Sequence, residues 1–237
     1  MQKTCMKSCR LYSALICLLG IVACTPPSLA PRMPPPAMQM AAPADFPSAW
    51  YDAAAARGEA LLRIDAVRSL VEIEVRRGGS MARFGHDHIV ASRNVQGLVA
   101  PKAGRADLFV ALDELTVDEP DLRLAAGLTT EPSAEAIAGT RRNMLDRVLE
   151  SQRFPHALIS VQQLNAGSLH VELNLHGVRR GWDIPARIDN GAEGMQVSGQ
   201  LQFLQSEFGI TPFSVLGGAL QVQDALSLRF KVHAVKF

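Results

Sequence analysis

Apolar and polar residues alternate with a period of two along much of the chain after residue 60. In residues 169–175, for example, every second residue is leucine or valine, and the residues between them are polar. Such alternation is typical of a β-strand with one buried face and one face in water. Short turn signals rich in glycine and asparagine separate the alternating segments. We predict about eight consecutive antiparallel strands, near residues 62–76, 82–100, 106–114, 156–164, 168–177, 182–189, 195–206 and 220–236.

A series of consecutive antiparallel strands must close on itself or protect its edges. Eight strands are enough for a barrel whose interior is filled by side chains or holds one small ligand. The apolar positions carry mostly medium-sized residues, with glycine at Gly97, Gly199 and Gly218, which favours a cavity over a filled interior. The predicted fold class is therefore mainly β, an antiparallel eight-stranded β-barrel.

Two segments are predicted to be helical instead. Residues 132–151, PSAEAIAGTRRNMLDRVLES, have Ser133 as an N-cap and Glu135 in the first turn, which predicts an α-helix inserted between strands. Residues 48–57, SAWYDAAAAR, predict a short helix with Ser48 as its N-cap. The apolar face of the longer helix would consist of Ile137, Met144, Leu145 and Val148.

Residues 1–24 have the features of a secretory leader. The basic residues Lys3, Lys7 and Arg10 precede the apolar segment LYSALICLLGIV, which is too short to span a bilayer as a stable anchor. The IVAC sequence that ends at Cys24 resembles the bacterial lipobox, in which the cysteine is acylated and becomes the first residue of the mature protein. The alternative is an ordinary cleavage site that happens to contain a cysteine.

All four cysteines of the chain, Cys5, Cys9, Cys17 and Cys24, lie in this leader. The mature part therefore has no thiol for a disulfide, a redox pair, a thiolate zinc site or a nucleophile. This favours Cys24 as a lipid attachment point. Thr25 follows it, where the inner-membrane retention signal of bacterial lipoproteins has aspartate. By resemblance to that sorting rule, we expect an exported protein that is lipid-anchored to the outer membrane and faces the periplasm.

The segment after the leader is rich in proline. Eight of the residues from 25 to 47 are proline, and no apolar period is visible, which predicts an extended, semi-rigid tether. The predicted organisation is therefore a lipoprotein signal peptide over 1–24, a proline-rich tether with a short helix over 25–60, and a β-barrel domain over 61–237.

Charge and motifs exclude several classes of function. The chain has a net charge of +1, and removal of Lys3, Lys7 and Arg10 with the leader leaves −2 for the mature part. A nearly neutral domain without a basic stripe is not typical of nucleic-acid binding. The sequence has no G-x-S-x-G nucleophile elbow, no H-E-x-x-H zinc motif and no phosphate-binding loop, and we expect no enzyme.

Two charged segments have alternative interpretations. The acidic residues between 113 and 121 are predicted to form a solvated loop rather than a carboxylate pair for acid–base chemistry. Arg141 and Arg142 are predicted to form an exposed basic face of the helix, and the alternative is a clamp for an anionic headgroup.

Several motifs, in their order along the chain, resemble the YceI-like family of polyisoprenoid-binding proteins. They are FGHDH at 84–88, Gly97, FP at 154–155, LHGV at 175–178 and FGI at 208–210. The resemblance implies a lipocalin-like barrel with one helix insertion. It also implies an elongated apolar tunnel that holds a polyisoprenoid, an isoprenoid quinone or a related amphiphile, with no cofactor required.

On this basis we expect a protein that binds an isoprenoid lipid for transport, storage or stress protection. Each buried isoprene unit would contribute roughly 3–4 kcal/mol, so several units would outweigh an association cost of about 4–15 kcal/mol. The membrane is a partner through the N-terminal lipid anchor, and a homodimer is left open. A filled barrel with a purely structural or stress-related role is a further alternative. The predicted ligand-binding residues are Val71, Ile73, Phe84, His86, His88, Leu108, Val110, Met144, Leu173, Leu175, Val197, Leu201, Phe203, Leu228 and Phe230.

The histidines of FGHDH carry the main chemical alternatives. In an extended segment His86 and His88 share one face, and Asp87 points the opposite way. They could hydrogen-bond the backbone or an aspartate at a strand end. They could also form a polar gate for a headgroup such as a quinone carbonyl, because neutral imidazole can donate one hydrogen bond. A metal or haem site would make the protein a redox partner, but such a site needs a third protein ligand. The candidates are His156, His170 and His176, of which His170 and His176 are predicted to face solvent.

Overall fold

The computed structural model describes residues 41–237. The predicted signal peptide, the lipobox cysteine Cys24 and the tether up to residue 40 lie outside the described residues. Within them, antiparallel pairing joins all the strands into a single sheet. The strands are β1 (Leu62–Ile64), β2 (Leu70–Gly78), β3 (His88–Ser92), β4 (Gln96–Ala100), β5 (Arg105–Ala111), β6 (Thr116–Val117), β7 (His156–Asn165), β8 (Ser168–Leu175), β9 (Val178–Asn190), β10 (Gly194–Leu204), β11 (Ser214–Val215) and β12 (Leu220–Lys236).

The sheet closes into a barrel because β12 pairs with β10 along one side and with β1 and β2 along the other. The closed ring runs β1-β4-β5-β7-β8-β9-β10-β12, and β2, β3 and β6 continue the wall towards the other end. β1 and β2 lie end to end along the barrel wall, and so do β3 and β4, and β5 and β6. Each of these couples therefore acts as one long strand with an interruption. The predicted antiparallel eight-stranded barrel is confirmed.

The interruptions have local causes that the alternation did not reveal. After β1, the Asp65 carboxylate accepts hydrogen bonds from the backbone N–H groups of Val67 and Arg68, at 3.1 and 3.4 Å. These bonds cap a single turn of 3₁₀-helix, Ala66–Arg68, and separate β1 from β2. A second 3₁₀ turn, Leu112–Glu114, separates β5 from β6.

Three α-helices accompany the barrel: α1 (Ser48–Ala56), α2 (Pro120–Ala125) and α3 (Ala134–Asn143). The predicted inserted helix is confirmed, because the Ser133 hydroxyl accepts a hydrogen bond from the Ala136 N–H, at 3.3 Å. It continues as a turn of π-helix, Met144–Val148. Ser48 is not the N-cap of α1; that position is Pro47, which provides no side-chain cap. No helix within residues 41–237 combines the length and apolar character needed to cross a membrane.

Helix α1 packs against the outer surface of the barrel. Phe46 and Tyr51 form a buried cluster with Ala100 of β4 and Phe109 of β5. Tyr51 is only 1% exposed, and Phe46, in the segment predicted to be a tether, is 8% exposed. The chain is therefore held against the barrel from Phe46 onwards.

Candidate functional site

The barrel encloses a cavity of about 520 Å³. This volume lies within the range of small-molecule binding sites, about 300–1,000 Å³. Most of its wall consists of aliphatic and aromatic side chains that point inward at every second strand position. Every ligand-binding residue predicted from the sequence lines this cavity: Val71, Ile73, Phe84, His86, His88, Leu108, Val110, Met144, Leu173, Leu175, Val197, Leu201, Phe203, Leu228 and Phe230.

The inward side chains keep some accessible surface. Val71, Ile73 and Val75 of β2 line the cavity, and none of them is fully buried. In a barrel filled by its own side chains, these positions would be buried on all sides. The barrel is therefore hollow, and it differs from the filled barrel that was the alternative with a purely structural or stress-related role.

The glycines that favoured a cavity in the sequence do not enlarge it. A Cβ atom at Gly97 would lie 2.2 Å from the carbonyl oxygen of Asp107, and one at Gly199 would lie 2.8 Å from the Phe230 ring. Gly97 has φ +149°, a conformation that side chains rarely adopt. Gly97 lets its strand lie close to the backbone of Asp107, and Gly199 makes room for the Phe230 ring. Gly218 lies in a loop at one end of the barrel.

The cavity extends from one end of the barrel to the other. Phe84 and Val215 line it near the Gly78–Gln221 pair, whereas Pro101 and Gln163 line it near the opposite end. All four residues are exposed to solvent as well. The arrangement is that of an elongated apolar tunnel with polar groups concentrated in a few places.

Helix α3 and the π-helical turn complete the wall between β6 and β7, which do not pair with each other. Arg141 holds the helix there: its Nε donates to the carbonyl oxygen of Leu115, at 2.9 Å, and its Nη2 donates to that of Asp113. The prediction of an exposed basic face is therefore wrong for Arg141, and so is the headgroup clamp, because the guanidinium is used by the backbone. Arg142 is exposed, as predicted.

His88 begins β3 and is bound to a buried carboxylate. Its Nδ1 lies 2.6 Å from Oδ2 of Asp118, whose Oδ1 accepts hydrogen bonds from the Ile89 N–H, at 3.1 Å, and from Arg123 Nη1, at 2.6 Å. Burial alone would raise the pKa of Asp118, but the hydrogen bonds from His88, the Ile89 N–H and Arg123 lower it below its usual value. The prediction of a solvated acidic loop is wrong here, since the Asp118 side chain is 0% exposed.

His86 differs from its neighbours in the FGHDH segment. Asp87 is held by β2: its Oδ1 accepts a hydrogen bond from the backbone N–H of Arg77, at 2.9 Å, and its Oδ2 accepts one from Arg76 Nη1, at 3.1 Å. The Nδ1 of His86 is buried and has no hydrogen-bond partner. The His86 ring centroid lies 6.4 Å from that of His88, and both side chains line the cavity. The strand-end interpretation therefore accounts for His88 and Asp87 but leaves a nitrogen of His86 available.

His170 and His176 lie away from His86 and His88. His170 is partly exposed and pairs with Asp183, with Nδ1 2.6 Å from Oδ1. The prediction of a solvent-facing side chain is wrong for His176, which lies in the turn after β8 with φ +54° and packs on Phe154, with ring centroids 4.3 Å apart. Strand β8 ends at Leu175, two residues before the predicted end at residue 177. Within residues 41–237, no group of three His, Cys, Asp or Glu side chains is placed to hold a metal ion.

A polar cluster on the outer surface was not predicted from the sequence. The Tyr51 hydroxyl donates to Oδ2 of Asp107, at 2.8 Å, and Ser160 Oγ donates to Oδ1, also at 2.8 Å. Arg105 Nε lies 2.7 Å from the same carboxylate, and its guanidinium lies over the Trp50 ring. Burial and the bond to Asp107 raise the pKa of Tyr51 above its ordinary value. This cluster binds α1 to the barrel.

Comparison with known proteins gives a family match. A family model described as the YceI-like domain matches residues 63–234. No curated protein sequence matches the chain significantly.

Three solved structures are reported as similar to this chain. A polyisoprenoid binding domain from Saccharophagus degradans, implicated in plant cell wall breakdown, is 15% identical, covers 74% of this chain and 98% of its own, and has a TM-score of 0.53. BcnA of Burkholderia cenocepacia is 12% identical, with coverages of 73% and 99% and a TM-score of 0.49. The YCEI protein of Campylobacter jejuni is 13% identical, with coverages of 61% and 82% and a TM-score of 0.41.

Proposed function

This chain belongs to the YceI-like domain family, and we propose from that premise that its barrel binds an isoprenoid lipid, such as a polyprenol or an isoprenoid quinone, for transport, storage or stress protection. The observation that carries the proposal is the elongated apolar cavity of about 520 Å³. The similar domain from Saccharophagus degradans is a polyisoprenoid binding domain, which supports the same class of ligand here.

The chemistry of the wall favours a long apolar chain. Among the described residues that line the cavity, none is Asp, Glu or Lys, and the two arginines, Arg77 and Arg105, lie at opposite ends. The Arg105 guanidinium is directed to Asp107 and Trp50 on the outer surface. Burial of hydrocarbon against such a wall stabilises a complex by about 0.8 kcal/mol for each methylene. Length of the tunnel and polar groups at a few positions would then set specificity.

His86 and His88 are the proposed contacts for a polar headgroup. The ionised Asp118 carboxylate can only accept, so Nδ1 of His88 carries the proton that it shares with Asp118. Nε2 is then the nitrogen of His88 that is left for a headgroup. A headgroup hydroxyl, as in a polyprenol or a quinol, and a quinone carbonyl can both hydrogen-bond an imidazole nitrogen. The unpartnered Nδ1 of His86 offers a second hydrogen-bonding position.

Export and lipid anchoring at Cys24 form a separate part of the proposal. It is supported by the basic and apolar leader and by the confinement of all four cysteines to residues 5–24. Mass spectrometry of the mature N-terminal peptide tests it: we expect an acylated Cys24, and an unmodified N-terminus at another residue would contradict it. The cavity is built within one chain, so lipid binding does not require the homodimer that the sequence left open.

A matched pair of variants on β10 tests lipid binding. Val197 lines the cavity, and Ser198, the next residue, does not. We expect Val197→Trp to fold but to lose most of its lipid, because the indole occupies the tunnel, whereas Ser198→Trp keeps it. Lipid content is measured by solvent extraction and mass spectrometry, and folding by circular dichroism. Equal lipid content in two folded variants would contradict the proposal.

A further inference from the structure

An uncharged loop forms one end of the barrel. The chain has no charged residue between Glu207 and Asp224. At the tip of this loop Leu216 is 68% exposed and has φ +54°, and it is followed by Gly217 and Gly218, at φ +65° and +89°. Positive φ is unfavourable for leucine. The loop therefore holds an apolar side chain in water in a backbone conformation that leucine rarely adopts.

A second exposed apolar side chain lies beside this loop. Phe84 is 59% exposed and ends a 3₁₀ turn, Ala82–Phe84. The Met81 N–H donates to the carbonyl oxygen of Ala219, at 2.8 Å, which ties the turn to the loop. Phe84 and Val215, which is 37% exposed, also line the cavity. The exposed apolar residues thus surround an end of the tunnel, and such a cluster marks an interaction surface. We call Phe84, Val215 and Leu216 the apolar rim.

Arginine side chains border the apolar rim. The Arg83 guanidinium lies over the Phe84 ring, 4.5 Å from its centroid, and the Arg147 guanidinium lies over the Phe213 ring, at 5.0 Å. Arg147 belongs to the π-helical turn after α3. Pairing of an exposed cation with an aromatic ring suits the boundary between lipid headgroups and acyl chains, where the charge stays at the phosphates and the ring enters the apolar layer.

We propose that the apolar rim docks on a bilayer surface that contains anionic lipid, with Leu216 and Phe84 in the acyl-chain boundary and Arg83 and Arg147 at the headgroups. Docking in this orientation sets the end of the tunnel against the membrane, so that a lipid passes between bilayer and barrel without crossing water. The inference rests on the proposed function for its purpose, but the docking itself is measured separately from lipid binding.

An environment-sensitive fluorophore on a single cysteine tests the docking. Cys5, Cys9, Cys17 and Cys24 of the full chain are replaced by serine, and Leu216→Cys carries the label. Leu164→Cys, at the opposite end of the barrel and 50% exposed, is the matched control. The leader is the same in both chains, so any binding through the leader is common to them. With phosphatidylcholine vesicles that contain phosphatidylglycerol, we expect the emission to shift to the blue for the label at 216 and to stay unchanged at 164.

Removal of the arginines tests the electrostatic part. In the chain labelled at 216, Arg83→Ala together with Arg147→Ala should weaken binding to phosphatidylglycerol vesicles by roughly fivefold for each arginine removed. Binding to pure phosphatidylcholine should change little. No shift at 216, or equal shifts at 216 and 164, overturns the docking proposal. An emission shift at 216 with no extractable lipid in the barrel would support docking and contradict lipid binding. Extractable lipid without a shift at 216 would support lipid binding and contradict docking.

Discussion

At the scale of single residues, the structure separates side chains that the sequence grouped together. Asp118 was predicted to be solvated like Asp113, but Arg123, five positions later, folds back on it with a 2.6 Å contact. His86 and His88 were treated as a pair, yet only His88 is bound to a carboxylate. The alternation predicted which face these residues share, but it carried no information on partners that come from a different segment.

Replacement of Asp118 should destabilise the fold strongly. Asp118→Asn leaves the Arg123 guanidinium, which is 7% exposed, without its counter-charge. Breaking a buried ion pair in this way costs about 3–5 kcal/mol. Denaturant unfolding measures the change, and Asp113→Asn, an exposed site in the same acidic segment, should stay within about 0.5 kcal/mol of the wild type. Similar values for the two variants would contradict the buried pair.

The same carboxylate gives a dependence on pH. The pKa of Asp118 is lower in the folded than in the unfolded protein. Its contribution to stability is therefore fully present above the ordinary carboxyl pKa and is lost as the pH falls through the folded pKa. We expect the difference in unfolding free energy between wild type and Asp118→Asn to shrink on acidification below about pH 4. A difference that grows there would contradict this assignment.

His86 should matter for the ligand rather than for the fold. His86→Phe removes a buried nitrogen that has no partner, so the free energy of unfolding should be unchanged or higher. Binding of a polyprenol should weaken by roughly five- to tenfold, equivalent to one hydrogen bond, while binding of a hydrocarbon without a hydroxyl group stays the same. His170→Phe, on the outer surface, is the control. Equal loss for both ligands would mean that His86 only shapes the wall.

At the scale of elements, the sequence predicted the strands and α3 because their patterns are local. Alternation along residues 169–175 or 195–203 and the Ser133 cap each require only neighbouring residues. The sequence did not predict that α1 packs on β4 and β5, because Tyr51 hydrogen-bonds Leu98 and Asp107, which lie about fifty positions later in the chain. The interruptions between β1 and β2 and between β5 and β6 were also missed, although the cavity-lining residues change from even to odd positions across each of them. Ile64 is followed by Val71, and Leu112 by Leu115.

Loss of the Tyr51 hydroxyl should loosen α1. Tyr51→Phe removes the hydroxyl that donates to Asp107, at 2.8 Å, and also lies 3.1 Å from the Leu98 carbonyl oxygen. A hydrogen bond to a charged group contributes about 1.5–3 kcal/mol. Hydrogen exchange should become at least about tenfold faster for the α1 amides. Asp52→Asn, on the exposed side of the same helix, is the control. Unchanged exchange in Tyr51→Phe would mean that the cluster around Asp107 does not hold the helix.

Arg141 and Arg142 form a matched pair on α3. Arg141→Ala removes the donors to the carbonyl oxygens of Leu115 and Asp113 and should lower the free energy of unfolding by about 1.5–3 kcal/mol. Arg142→Ala should change it by less than about 0.5 kcal/mol, because its side chain is exposed. Denaturant unfolding distinguishes the two variants. A larger effect at Arg142 would contradict the role of Arg141 in seating the helix.

At the scale of the whole molecule, the barrel is predictable from the sequence but its hollow interior is much less so. Alternation identifies the inward residues, and every predicted ligand-binding residue lines the cavity. Whether inward side chains meet across the axis depends on the tilt and stagger of all the strands, which no single segment encodes. The medium size of Val, Leu and Ile correctly indicated a cavity. The glycines were also taken to indicate one, but the space beside Gly97 and Gly199 is filled by atoms of the wall.

The central claim is that this cavity holds an isoprenoid lipid, and native mass spectrometry of the protein isolated from its own membranes tests it most directly. The bound mass is released by collision and identified after solvent extraction. We predict a mass that matches an isoprenoid chain carrying a hydroxyl or quinone headgroup, present in the wild type and depleted in Val197→Trp. A wild-type barrel that is consistently empty, or that retains only detergent, would contradict the claim.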